Sequence, residues 1–299
     1  MNNEKIKIGT LAPGNDKTHE YLRQILPLGF ESFSITFGQT LADCDLKKMA
    51  RRCREVLNGS GAVISSVRVY GNPLADDDQA LQTCQGWEKL IDAAPLFGCD
   101  LVTGFTGRVT DKPIGKSYDR FREIFTPLVK RAEKRSVRLA FENCDMGGDW
   151  WRGDWNIAHN PTAWEMIFNA LGADHVGLQW EPCHQLVSLI DPIPQLRKWV
   201  KKIFHVHGKD ANVHWDVIRE FGIHGPKKFA CHRTAGFGDS DWTQIIAELR
   251  TGGFVGSIDI EGWHDPVYKG SLEMAGQIHA LQYLKNCRKV VFEQNPKQT

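Results

Sequence analysis

Ile203-Phe-His-Val-His-Gly-Lys-Asp210 is a short apolar run that carries two histidines at alternate positions and ends in a charged pair. Successive side chains of a strand point to opposite faces, so His205 and His207 look one way while Phe204 and Val206 look the other. Apolar residues on both flanks argue for a strand covered on both faces, as in α/β proteins. One face then carries imidazoles where packing alone would favour Val or Leu. A lone buried histidine is ordinarily a hydrogen-bonded core residue, so the weight of the reading falls on how the other strands end.

Working outward, strand-type runs are predicted at 6–10, 33–37, 62–70, 101–105, 137–141, 176–180, 203–207 and 254–260, read from apolar and β-branched stretches bounded by Gly, Pro and Asn. Helical spacing fills the intervals at 19–28, 45–57, 77–97, 117–134, 162–171, 194–200, 241–251 and 272–285. Asn160-Pro161 is a start signal, and Gly98 is a stop signal for the helix before it. Eight strands alternating with eight helices predict an α/β fold, a single (β/α)8 TIM barrel over residues 1–299. The first strand-helix turn lacks GxGxxG and the chain has no GxxxxGK[ST], which argues against a doubly wound nucleotide-binding sheet. Two stretches, 144–160 and 210–239, are long and unpatterned and read as functional loops.

Composition narrows the function. A formal net charge of +1, with Lys and Arg scattered among Asp and Glu, leaves no basic face for nucleic acid. No apolar run approaches the ~20 residues that span a bilayer. Eight cysteines lie far apart with no CxxC, and the N-terminus lacks the apolar stretch of a signal peptide, so reduced thiols and a cytoplasmic location are expected. A small neutral or weakly charged substrate suits this balance. Ten tryptophans, several beside polar loop residues, would supply aromatic walls for it. Barrels of this size commonly self-associate as homo-oligomers.

Four consecutive strand ends carry metal-type ligands: Glu142, Glu181 with His184 nearby, His207, and Glu261. In a barrel these ends converge on one face. Three carboxylates in a closed mouth repel and desolvate badly unless a cation compensates them. Oxygen-rich ligands with one nitrogen favour Mn²⁺ or Mg²⁺, with Zn²⁺ and Co²⁺ as further choices. Around them, His205 reads as a core partner one step deeper than His207, and Lys209 and Asp210 read as a loop ion pair. Cys183 reads as a small packing residue rather than a nucleophile. Asn143 either binds substrate, orients Glu142 or holds the turn.

Phe-Glu-Asn at 141–143, Glu-Pro-Cys-His at 181–184, His-Val-His-Gly-Lys-Asp at 205–210, the 236–242 approach to the seventh helix and Ile-Asp-Ile-Glu at 258–261 together resemble the sugar phosphate isomerase/epimerase family of xylose-isomerase-like barrels. That family includes ketose 3-epimerases, inosose dehydratases and metal-dependent apurinic endonucleases. The resemblance implies one divalent metal, usually manganese, on Glu142, Glu181, His207 and Glu261, with His184 beside it against the substrate. Family members more often carry Asp where Glu181 stands. The endonuclease branch is disfavoured by the near-neutral charge.

The resemblance also implies a substrate-contacting Arg after the seventh strand, here Arg233 in a segment with Lys227, Lys228 and His232. His264 and Trp263 just past Glu261, Trp151, Asn143 and Arg108 are further candidates for the sugar pocket. The expected activity is isomerisation or epimerisation of a keto sugar or keto-glycoside, with Glu142 and Glu261 moving a proton next to a carbonyl through an enediolate and His184 donating to the oxyanion. A lyase or dehydratase acting on an inosose or 3-keto-glycoside would use the same residues. A carbohydrate-binding barrel without catalysis is the reading from another class, and metal content separates it from the enzymes.

Overall fold

The structure, a computed structural model, describes residues 5–289. Nine strands appear in chain order: β1 (Ile6–Pro13), β2 (Ser32–Phe37), β3 (Val63–Val69), β4 (Leu101–Gly104), β5 (Arg138–Glu142), β6 (Val176–Trp180), β7 (Ile203–Val213), β8 (Ala230–Thr234) and β9 (Gly256–Ile260). Eight of them are parallel and form a closed barrel in the order β1 to β7 followed by β9, with β9 returning to β1. All eight predicted strands are therefore barrel strands.

The helices α1 (Thr18–Ile25), α2 (Leu46–Leu57), α3 (Asp78–Ala93), α4 (Tyr118–Lys134), α5 (Pro161–Leu171), α6 (Pro182–Val187), α7 (Pro192–Trp199), α8 (Trp215–Phe221), α9 (Trp242–Thr251) and α10 (Glu273–Lys289) occupy the intervals. Asp45, Asp77, Asp191 and Asp241 cap α2, α3, α7 and α9 by accepting from backbone N–H groups in the first turn. The predicted helices at 19–28 and 77–97 end earlier, each passing into a 3₁₀ turn that contains a proline, Pro27 or Pro95, which has no N–H to give. None of the described helices is long and apolar enough to cross a membrane.

The stretch expected to be a loop at 210–239 is the main departure. Strand β7 continues six residues past His207, leaves the barrel, and pairs antiparallel with β8, Lys209 opposite Thr234 and Val213 opposite Ala230. Two short helices, α6 and α8, were also not expected.

Two layers of packing differ in chemistry. Outside the barrel, Phe141 of β5 meets Phe121 and Phe125 of α4 and Trp87 of α3 with ring centroids 4.9–6.0 Å apart. Burying such rings contributes about 1.5–3 kcal/mol each. Inside, branched apolar residues usually fill a barrel, but here polar groups do. Asp259 of β9 accepts from Ser32 of β2 at 2.5 Å, from Ser65 of β3, and lies 2.7 Å from His205 Nε2 of β7. Contacts between strands that are not neighbours must cross the lumen, so this carboxylate sits within it. Gly9 leaves the room, since a Cβ there would lie 2.0 Å from the Ser32 carbonyl oxygen and 2.3 Å from Asp259 Oδ1. His205 is thus an interior hydrogen-bonded residue, as expected, with Gln179 3.0 Å from its Nδ1.

Candidate active site

Above that polar column, Glu142 closes β5, Glu181 follows β6, His207 lies in β7 and Glu261 follows β9, all buried. One ligand atom from each lies within 4.8 Å of the others. Ligands about 2.1 Å from an ion and opposite one another are about 4.2 Å apart, so a contraction of a few tenths of an ångström suffices.

The directions of these groups fit an ion better than one another. His207 Nδ1 is 3.0 Å from Glu261 Oε2 and 3.7 Å from Glu181 Oε1, yet all three atoms are buried without a hydrogen-bond partner among the described residues. Buried polar atoms in this state call for a ligand. Glu181 is held by Asn143, whose Oδ1 accepts from the Glu181 N–H at 2.8 Å while its Nδ2 donates to the Glu181 carbonyl at 2.9 Å. Asn143 therefore fastens the backbone of Glu181 rather than the Glu142 side chain.

Two cations already face the three carboxylates. Lys209 Nζ donates to Glu261 Oε1 at 2.7 Å and lies 4.0 Å from Glu181 Oε2. It is buried in the site, which corrects the expected loop pair with Asp210. Asp210 instead accepts from the Ala211 and Ser240 N–H groups and from Trp242 Nε1. The other cation is Arg68 of β3, fully buried, which pairs with Glu142 Oε2 and sits 2.9 Å from His207 Nε2. Its guanidinium lies over the Tyr70 ring, 3.7 Å from the centroid, and the Tyr70 hydroxyl donates to the same Glu142 oxygen at 3.1 Å.

These environments separate the carboxyl groups. Burial pushes Glu142 up to about 7, with Arg68 opposing and Glu181 reinforcing the shift. Burial also works against ionising Glu261, but Lys209 and His207 overcome it and hold that carboxyl well below the usual range. Glu181 is likewise held low, by His184 and Lys209 against burial.

His184 of α6 is buried with Nε2 3.2 Å from Glu181 Oε1 and Nδ1 3.5 Å from Asp145 Oδ1. Burial disfavours its protonation, yet its neighbours raise it well above the ordinary histidine range. Cys144 and Cys183 flank the ring, but burial pushes both thiols up so that they stay protonated. The anions that charge His184 are accordingly Glu181 and Asp145. Cys183 Sγ donates to Glu181 Oε2 at 3.2 Å, so it does more than fill space. The β7–β8 hairpin brings His232 over the site, its ring 5.0 Å from that of His184 and 6.0 Å from that of His264. Burial, then His184 and Lys209, drive His232 down to about 4, and burial first of all lowers His264.

The remaining candidates divide. Trp263 packs on Tyr70 with centroids 5.8 Å apart and forms a rim. Arg233 lies on the hairpin, donating to Asn212 at 2.9 Å and to Asp265 at 3.3 Å. Arg108 is a loop anchor: its guanidinium donates to the carbonyls of Lys112 and Asp149 at 2.6–2.9 Å. Trp151 is 67% exposed, and its only described hydrogen bond runs from its N–H to Asp149. The structure does not bring it to the ligand cluster. Sequence reasoning missed Arg68 and Tyr70, although an arginine inside the apolar run Val67-Arg68-Val69 was a visible anomaly.

Comparison with known proteins identifies the family of this fold. The family model described as xylose isomerase-like TIM barrel matches residues 22–287. The rhizopine catabolism protein MocC of Rhizobium meliloti is 27% identical over 177 residues, 57% of this chain; the matched part is 48% of MocC, so the chain spans about half that relative's length. The apo structure of the 3-keto-D-glucoside 4-epimerase YcjR from E. coli superposes with a TM-score of 0.70 at 15% identity, covering 94% of this chain and all of that one. A xylose isomerase-like TIM barrel protein from Mycobacterium smegmatis, in complex with magnesium, superposes with a TM-score of 0.67 at 17% identity, covering 96% and 98%.

Proposed function

The chain belongs to the xylose isomerase-like TIM barrel family, and from that premise we propose that it is a divalent-metal-dependent isomerase or epimerase of a keto sugar or keto-glycoside. The observation that carries this is the convergence of Glu142, Glu181, His207 and Glu261, with three buried donor atoms that have no hydrogen-bond partner among the described residues. A bound Mn²⁺, or Mg²⁺, Co²⁺ or Zn²⁺, would polarise the substrate's carbonyl and adjacent hydroxyl and so acidify the carbon-bound hydrogen. A 3-keto-glucoside epimerase and a magnesium-bound barrel among the similar folds support the same reading.

The protein's own groups supply the proton transfers. Glu142, which closes β5, and Glu261, which follows β9, are the two buried carboxylates that would take and return the proton. Delivery to the opposite face inverts the carbon, while return to the neighbouring carbon moves the carbonyl. His184, kept protonated, donates to the oxygen that gains charge in the enediolate. Arg233, His264 and Trp263 line the approach.

Elimination is the second reading, favoured by the same His184: an imidazolium beside the carboxylates can protonate a departing hydroxyl or alkoxide. The test is metal analysis with a screen of ketoses, inososes and 3-keto-glycosides for solvent deuterium uptake. Glu142→Gln and Glu261→Gln should each abolish turnover, one of them still exchanging the substrate's hydrogen. Turnover within about tenfold of wild type in both, only ~1.4 kcal/mol of barrier, would remove both glutamates as the proton carriers. A protein that binds sugar, holds no metal and exchanges no hydrogen would be a carbohydrate-binding barrel instead.

A further inference from the structure

A cleft of about 440 Å³ opens on the same end of the barrel as the ligand cluster, among the segments that follow β2, β3 and β5. Its walls include Gln39 after β2, Asn72 and Asp77 after β3, Gln79 in the first turn of α3, and Asp154 and Trp155 between β5 and α5. Both sides are fastened to Glu142. Tyr70, two residues before Asn72, donates its hydroxyl to Glu142 Oε2 at 3.1 Å, and Asn156, next to Trp155, donates to the Glu142 carbonyl at 2.8 Å. The volume lies in the range of small-ligand sites, about 300–1,000 Å³.

One residue of the cleft has all its hydrogen bonds used. Asn72 Nδ2 donates to the carbonyls of Arg108 and Asp154 at 2.7 Å each, and its Oδ1 accepts from the N–H groups of Leu74 and Arg108 at 2.9 Å each. Asn72 thus ties together the loops after β3, β4 and β5 and leaves nothing for a ligand. The groups around it are free. The amides of Gln39 and Gln79 and the Trp155 indole N–H make no hydrogen bond to the described residues. Asp77 Oδ1 accepts from the Ala80 N–H and Asp154 Oδ1 from the Asp111 N–H, which leaves the second oxygen of each carboxylate without a donor among the described residues.

This set of groups selects its ligand. Two carboxylates line the cleft and no lysine or arginine is among its described lining residues, so a phosphate would be repelled. Ala75 and Ala80 are its only aliphatic side chains, too little surface for an apolar tail. Amides and carboxylates around one half-buried indole suit a neutral pyranose, whose C–H face rests on the ring while its hydroxyls bond to the rim.

We infer that this cleft is a subsite for a second sugar unit, so that the substrate is a keto-glycoside with an unphosphorylated second ring rather than a free ketose. The inference rests on the isomerase or epimerase reading for the chemistry of the reacting unit. Trp155 is then a specificity-determining residue, holding the ring that does not react.

The first measurement reads Trp155 directly in a ¹⁵N-indole spectrum of the full chain, its Nε1 resonance assigned by its loss in Trp155→Phe. Maltose, cellobiose, trehalose and sucrose are titrated in turn. At least one should move that resonance at millimolar concentration, and inorganic phosphate should not. No movement with any of the four, or an equal response to phosphate, overturns the inference. The second measurement compares kcat/KM for methyl 3-keto-glucoside with that for the 3-keto derivative of the disaccharide that binds. The larger substrate should be favoured about tenfold or more, and Trp155→Ala should bring the two within about threefold of each other. Gln79→Ala, at an exposed position, should narrow the gap in the same direction and serves where the first variant melts early. Equal values in wild type, a gap that survives substitution, or turnover of free ketoses alone overturns the inference and leaves the enzyme reading standing. No turnover of any keto sugar removes the enzyme reading instead, and the Trp155 resonance then decides the sugar subsite by itself.

Discussion

Lys209 Nζ donates to Glu261 Oε1 at 2.7 Å in a site where both side chains are almost completely excluded from solvent. Taking one partner from such a pair leaves the other charge buried and uncompensated, which typically costs about 3–5 kcal/mol. Lys209→Met should therefore lower the stability of the metal-free protein by about 3 kcal/mol, and Mn²⁺ should restore part of it. Urea unfolding with chelator and with metal measures this. A loss under about 1 kcal/mol would mean that the carboxylates are compensated without Lys209.

Stability should also depend on pH with a sign set by Glu142. Its folded value near 7 lies above its ordinary 4.5, chiefly through burial. A group raised in this way favours the fold fully below the unfolded value and loses that contribution as pH rises through the folded one. The stability of the metal-free protein should thus fall between pH 5 and 7.5, by on the order of 3 kcal/mol from this carboxyl, and its melting temperature with it. His184, also raised, adds in the same direction above 6.5. Glu181 and Glu261 are lowered, so their contribution is present above 4.5 and is lost only at more acid pH. On the proposed metal reading the ion would need the Glu142 carboxylate, so the rise in melting temperature caused by Mn²⁺ should grow across the same window. Scanning calorimetry from pH 5 to 8 checks both slopes, and Glu142→Gln should flatten the first.

Removing His207, the one nitrogen donor of the proposed metal site, should separate binding from folding. His207→Ala should give a folded barrel whose Mn²⁺ affinity falls by two orders of magnitude or more, with no rise in melting temperature at metal concentrations that stabilise wild type. Full metal occupancy in that variant would show that the ion is held elsewhere.

Arg108 should matter to the 144–160 loop rather than to chemistry. Its guanidinium holds the Lys112 and Asp149 carbonyls, and its N–H donates to Asn72 Oδ1 at 2.9 Å. Arg108→Ala should leave the metal affinity within twofold of wild type and open the segment to limited proteolysis. Cleavage mapped by mass spectrometry should fall between residues 144 and 160. A variant as resistant as wild type would show that the loop is held by other contacts.

The barrel interior offers a test at a position far from any ligand. Gly9→Ala would drive a methyl group into the Ser32 carbonyl and Asp259, so the polar column must shift. We expect a loss of about 2–4 kcal/mol by urea unfolding, as for overpacked or broken buried networks. A loss below about 0.5 kcal/mol would show that the column yields easily.

The barrel was legible from the sequence, because parallel strands alternating with helices impose a simple punctuation, and so was the convergence of Glu142, Glu181, His207 and Glu261, which sit at or just past strand ends. What escaped depends on convergence between strands distant in the chain. Lys209 looked like a loop residue because β7 was expected to stop at His207, and nothing in Ala230-Cys-His-Arg-Thr234 alternates strongly enough to announce a partner strand. Arg68 has meaning only once β5 and β7 are known to face β3 across the lumen. Asn143 and Arg108 were singled out as polar groups near the mouth. Their hydrogen bonds turned out to run to backbone, a distinction that side-chain type alone does not carry. Trp151 was chosen for its aromatic character in a loop, and loop residues have no periodicity from which to infer direction.

The closing seam between β1 and β9 joins residues 250 apart in sequence, Thr10 beside Ile260. Such non-local pairing is the slow kind in folding. The strand that seals the cylinder also carries Asp259, which takes the Ser32 hydroxyl from β2 beyond β1, so closing the barrel and completing its polar interior depend on the same long-range pairing.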